Sequence, residues 1–93
     1  MSAACPVFGV IIRLDPTPGI QLEAVLRALR TELLQSRGLV ATVLDARAGE
    51  MVITGDGFQA SDTDRTAIVA WLSEQPEVDR YDVSQLGDVG HAA

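Results

Sequence analysis

The chain contains no lysine, and all seven of its basic side chains are arginine. It has one cysteine, Cys5, one histidine, His91, one tryptophan, one tyrosine and two phenylalanines. Each shortage excludes something. A single cysteine cannot close an internal disulfide, which fits a reducing cytoplasm. Cys5 has no basic neighbour to favour its thiolate. His91 stands alone in the C-terminal tail, where a general acid or base would lack a held partner. Neither a Cys/His pair at metal-ligand spacing nor a Gly-x-Ser-x-Gly elbow occurs. No catalytic constellation, cofactor motif or small-molecule site is therefore expected. Long apolar runs are missing too. The longest, residues 7–12, is far short of the ~20 residues that span a bilayer, and no basic segment leads it in the manner of a signal peptide. A cytoplasmic chain with no membrane contact is the expectation.

A length of 93 residues suits one domain, with an ordered core over about residues 6–89 and short frayed termini. Hydrophobic residues make up 47% of the chain, enough for a packed core and against disorder. The formal net charge is −6, unevenly spread. Residues 1–49 hold five arginines and four acids, 5 − 4 = +1; residues 50–93 hold two arginines and nine acids, 2 − 9 = −7. Such a balance opposes general nucleic-acid binding, which needs basic groups against phosphate.

The clearest local signal opens at Ser61. Ser61, Asp62, Thr63 and Asp64 precede Ala67, Ile68, Trp71 and Leu72. Short oxygen side chains accept hydrogen bonds from the free N–H groups of a first helical turn, and Ser61 with Asp64 three later has capping-box spacing. Ala67, Ile68, Trp71, Leu72 and Gln75 share a face, making Trp71 a core anchor, and Pro76 stops the helix. An earlier helix is predicted over residues 20–37, with Leu22, Val25, Leu26, Leu29 and Leu33 facing inward and Gly38 as its stop. Its adjacent outer stripe is Glu23, Arg27, Arg30, Leu34 and Arg37. Arg27, Arg30 and Arg37 form the largest positive cluster on one element. They read either as a contact for RNA phosphate or an acidic partner, or as a solvated face with intrahelical pairing such as Glu23 with Arg27.

Strands account for the rest. Residues 6–14 form a nearly continuous apolar, β-branched run, predicted as a central strand in which Gly9 marks a bulge or a close backbone approach. Asp15-Pro16-Thr17-Pro18-Gly19 is a turn that lacks the glycine pattern of a phosphate loop. Residues 39–45 and 50–54, joined across Gly49, read as a hairpin. Residues 78–83 carry Asp79, Arg80 and Asp82, as an edge strand does, and residues 84–89 either extend that strand or wrap over the sheet. Asp56, Asp62 and Asp64 lie near one another but match no Ca²⁺ loop, and turn and cap roles already explain them. No metal site is expected.

The resulting order is β-α-β-β-α-β. It predicts an α+β, ferredoxin-like two-layer sandwich: a mainly antiparallel four-stranded sheet, first and third strands central, both helices on one face. Only one aromatic, Phe8, falls on the two predicted central strands, which speaks against base-stacking RNA recognition of the kind this fold supports. The uncovered sheet face is a candidate interface for a homodimer or a docking partner.

One stretch carries a family resemblance. Ala67-Ile68-Val69, Trp71-Leu72, then Ser84, Leu86, Asp88 and Val89 resemble the C-terminal half of the YggL family, small bacterial proteins that bind the large (50S) ribosomal subunit. The resemblance covers most of the chain in layout and about its last third in identity. It implies a non-catalytic, ribosome-associated protein contacting ribosomal protein or rRNA, with Arg27, Arg30 and Arg37 or the open sheet face as the contact. The residues by themselves also fit a small self-associating structural or regulatory module with no ribosome contact.

Overall fold

The computed structural model describes residues 7–56 and 59–89. Cys5, Pro6, His91, the Gly57-Phe58 part of the loop and the tail from Gly90 lie outside the described residues. The architecture is α+β: an open antiparallel sheet of five strands with two helices. The strands are β1 (Phe8–Pro16), β2 (Leu39–Asp45), β3 (Glu50–Gly55), β4 (Val78–Val83) and a two-residue β5 (Gly87–Asp88). Their order is β2-β3-β1-β4, with β5 also on β1. The β-rich apolar run of residues 7–14 thus becomes a central strand with partners on both edges, as its composition predicts.

The fifth strand is the departure from the expected four. β4 pairs with β1 from Ile12 to Pro16, and β5 pairs with β1 at Phe8 and Gly9. The two short strands therefore lie in tandem along one edge of β1. Ser84 bridges the gap. Its hydroxyl accepts from the Ile11 N–H at 2.8 Å, and its own N–H donates to the Ile11 carbonyl at 2.8 Å. A serine side chain replaces a strand's backbone acceptor here, so the chain bends without leaving a donor of the central strand bare. Beyond it, Val89 N–H reaches the Val7 carbonyl at 2.8 Å. The segment after β4 extends the sheet rather than wrapping over it.

Strand alternation sorts the two faces. Val10, Ile12, Leu14, Leu39, Ala41, Met51 and Ile53 point to the helix side and are buried. Gly9 sits on the other face, where a Cβ would run into the Ile53 carbonyl, so the close-approach reading of this glycine holds. Gly49 closes the β2–β3 turn at φ +65° and is buried against β1, its carbonyl accepting from Leu14 N–H at 3.1 Å.

Helix α1 spans residues 22–37, starting two residues later than its apolar pattern suggests. Gln21 is extended, and its carbonyl accepts the first helical bonds from Ala24 and Val25. The helix is not uniform. It is α-helical over Leu22–Leu29, π-helical over Arg30–Leu34 and α-helical again over Gln35–Arg37, ending on Gly38 at φ +68°. The Gln35 N–H bonds to the Arg30 carbonyl, the five-residue step of a π turn. One extra residue in that turn rotates everything after it, and the expected outer stripe changes. Leu34, expected outside, is 1% exposed and packs in the core, whereas Leu33, expected inside, is only partly buried. Helix α2 (Asp62–Ser73) buries Ile68, Trp71 and Leu72 as predicted. The Trp71 indole N–H donates to Glu32 at 3.1 Å, satisfying the one polar atom of that anchor from the π turn of α1.

Candidate interaction surface

Asp64 ties the two helices together. Its backbone N–H donates to Ser61 Oγ at 3.3 Å, and its Oδ2 accepts from Ser61 N–H at 2.9 Å, which completes the capping box. Its Oδ1 accepts from Arg37 Nε at 2.9 Å. One carboxylate thereby starts α2 and holds it to the last turn of α1. Burial pushes the Asp64 pKa up. The Ser61 N–H, the hydrogen bonds from Arg37 and Ser61 and the Arg37 charge pull it down, leaving it below its ordinary value of 3.8.

Because the folded carboxyl is the stronger acid, its contribution is fully present above the unfolded pKa near 3.8 and is lost as pH falls through the lower, folded value. Asp64→Asn is expected to cost about 1–3 kcal/mol at neutral pH, since it loses charge-assisted hydrogen bonds. It is also expected to flatten the acid limb of stability below pH ~4. Urea unfolding of both forms from neutral to acidic pH checks this. A cost that does not shrink toward low pH would contradict it.

The three arginines read from sequence as a partner contact are not brought together. Arg27 and Arg30 border one shallow groove with Glu23 and Gln35, whereas Arg37 borders another with Asp62, Thr66 and Ala70. The π turn lies between them and accounts for the separation. Arg37 is half-buried on Asp64, and Arg30 donates to the Ala41 carbonyl of β2 at 3.0 Å. Arg65 of α2 does the same at the opposite edge. It donates to the Ser84 carbonyl at 2.8 Å and the Val83 carbonyl at 3.2 Å. An arginine from each helix thus reaches a carbonyl at the corresponding sheet edge. Sequence inspection missed both contacts; they are long-range, and nothing local to Arg30 or Arg65 signals them.

The sheet face turned away from the helices has two parts. Ile11, Val40, Thr42, Val52 and Thr54 occupy its middle by alternation, with Val40 43% exposed. Toward the turn end the face is charged and cross-paired. Arg13 stands between Glu50 and Asp82, and Asp15 stands opposite Arg80. The Arg13–Glu50 pair, at 3.1 Å, joins two partly solvated side chains and adds little to stability. The face is thus an apolar and threonine-bearing field with two arginines and three acids at its turn end.

Among the described residues, no group of three or more His, Cys, Asp and Glu side chains could hold a metal ion. Asp64, the buried acid of the aspartate-rich cap, is occupied by Arg37 and Ser61. No helix among the described residues is long and apolar enough to cross a membrane. Compared with protein families, curated proteins and solved structures, the chain matched nothing.

Proposed function

We propose that this chain is a non-catalytic interaction protein of the cytoplasm that docks on the large ribosomal subunit. In this reading the fold is a ferredoxin-like β-α-β-β-α-β sandwich with an added edge segment, and the docking element is its uncovered face. The observation that carries the reading is that face, with Ile11, Val40, Thr42, Val52 and Thr54 in its middle and no helix over it among the described residues. The order β2-β3-β1-β4 supports the fold assignment. Similarity to the YggL family at Ala67-Ile68-Val69, Trp71-Leu72, Ser84, Leu86, Asp88 and Val89 supports the choice of partner. Several of those positions have structural work: Ile68, Trp71 and Leu72 pack α2 into the core, Ser84 carries the chain from β4 to β5, and Asp88 accepts from the Val7 N–H.

Arg30 and Arg37 have intramolecular partners, so in this reading the contact moves from the arginine stripe to the sheet, with Arg27 at most a flanking charge. The net charge of −6 favours an approach to basic ribosomal protein over bare RNA. The same charge opposes contact with rRNA, which supports the second reading, a self-associating module that never meets the ribosome.

Sedimentation of cell lysate through a sucrose gradient separates the two. The protein is expected in the large-subunit fractions at low salt and at the top after salt is raised. Recovery only at the top, at every salt, would overturn the ribosome reading.

A further inference from the structure

One edge of β1 is covered in two different ways. β4 covers it at residues 12–16, and the segment 84–89 covers it at residues 7–11. Backbone groups in an antiparallel ladder alternate in direction. Along this edge Arg13 opposes Asp82, Ile11 meets Ser84, Gly9 opposes Gly87 and Val7 meets Val89. From Ile11 to Gly9 is two steps (11 − 9), whereas from Ser84 to Gly87 is three (87 − 84). One residue of the segment is therefore bulged out. Side chains fill in where the backbone departs. The Ile11 N–H donates to Ser84 Oγ at 2.8 Å and the Val7 N–H to Asp88 Oδ1 at 3.2 Å, each in place of a backbone carbonyl.

Arg65 marks where the departure begins. It donates to the Ser84 carbonyl at 2.8 Å and to the Val83 carbonyl at 3.2 Å. The Ser84 carbonyl thus turns to α2 instead of Ile11, and the hydroxyl takes its place in the ladder. Ser84 is held from both sides, since its N–H also donates to the Ile11 carbonyl at 2.8 Å. Beyond it the hold is lighter. No residue from 85 to 89 is fully buried, and Leu86 packs only partly against the core. An open groove bordered by Asp62, Arg65, Gln85 and Leu86 lies between this segment and the start of α2.

We infer that residues 85–89 form a strap that opens as one unit about a hinge fixed at Ser84 by Arg65, uncovering Val7 and Gly9 while the rest of the sheet stays folded. A segment with little buried contact opens at a free energy below that of global unfolding. Lifting β4 would require more: breaking both Arg65 bonds and drawing Val78 and Val83 off the core. The strap also has a task. Asp79, Arg80 and Asp82 place charge along β4, which discourages pairing with another chain. Over Val7 and Gly9 the strap is the guard, and its opening bares a short stretch of strand edge. The inference does not use the ribosome reading, which rests on the open face.

Native-state hydrogen exchange of the full chain at increasing urea tests it. The Val7 and Gly9 amides, corrected for intrinsic rates, are expected to share one opening free energy that hardly changes with urea, because opening the strap exposes little surface. The Ile11 and Arg13 amides are expected to exchange at least about tenfold more slowly and to accelerate steeply with urea. Leu86→Ala is expected to speed Val7 and Gly9 together by roughly tenfold, the scale for losing part of a leucine's burial. Arg65→Met frees the hinge, so Ile11 is expected to join the fast pair while Arg13 stays slow. Should that variant fail to fold, the wild-type urea series still decides. Val7 and Gly9 amides that accelerate with urea as steeply as Arg13 would overturn the inference. So would a Val7 amide much faster than Gly9, as in fraying from an end, an Ile11 amide already fast in the wild type, or one that stays slow in Arg65→Met.

Discussion

Leu34→Ala is expected to lower the unfolding free energy by about 2–5 kcal/mol, the range for truncating a buried leucine. Leu33→Ala, one position earlier, is expected to cost well under half as much. The contrast arises from the π turn. In a regular helix a residue five positions after Leu29 points about 140° away from it, at roughly 100° per residue. The Arg30–Leu34 turn is wider, and it returns Leu34 to the face of Leu26 and Leu29; Leu29 and Leu34 are 0% and 1% exposed. Truncating Leu34 leaves a cavity between α1 and the sheet, in a molecule whose total stability is on the order of 5–15 kcal/mol. Leu33 is only partly buried and can relax into solvent. Chemical denaturation of the two variants checks this. Equal losses, or a larger one for Leu33, would mean that α1 is uniform and in a different register.

Gly49→Ala is expected to cost about 2–5 kcal/mol through two separable causes. At φ +65° a Cβ crowds the following carbonyl, which costs about 1–2 kcal/mol. The added Cβ would also run into the Leu14 carbonyl. The turn must then move off β1 and give up the bond between Leu14 N–H and the Gly49 carbonyl, which costs about 1–3 kcal/mol for a buried donor left unpaired. Gly87→Ala is the control. A Cβ there meets nothing closer than the Gln85 carbonyl at 4.0 Å, so the substitution is expected to be neutral or to stabilise by up to about 1 kcal/mol. Thermal melts of the two alanine variants decide the matter. A Gly49→Ala protein with wild-type stability would show that the turn is not pinned against β1.

These two positions mark where sequence reasoning succeeds and where it stops. The α2 start was legible because a capping box is a local device: Ser61 and Asp64 carry it within one turn. The hairpin and the central placement of β1 and β3 were legible because composition and element order constrain them. The π turn was not, because the apolar pattern at Leu29, Leu33 and Leu34 satisfies either a regular or a widened helix; packing against the sheet makes the choice. Arg27, Arg30 and Arg37 looked like one stripe only on a regular helix. Their separation follows from that same turn, and the bonds of Arg30 to β2 and Arg37 to Asp64 depend on which elements become neighbours. The open face of the sheet was foreseeable from a two-layer fold, whereas Ser84's role in adding β5 to β1 was not, since it depends on a strand seventy-three positions away.

The most direct test of the docking account is the sucrose-gradient experiment run on three forms of the protein at low and raised salt. Wild type and Arg27→Glu are expected to travel with the large ribosomal subunit and leave it as salt rises, whereas Val52→Lys, which puts a charge in the middle of the open face, is expected to stay at the top. If Val52→Lys sediments with the subunit and Arg27→Glu does not, the helix rather than the sheet makes the contact; if all three stay at the top at every salt, the chain does not dock on the ribosome.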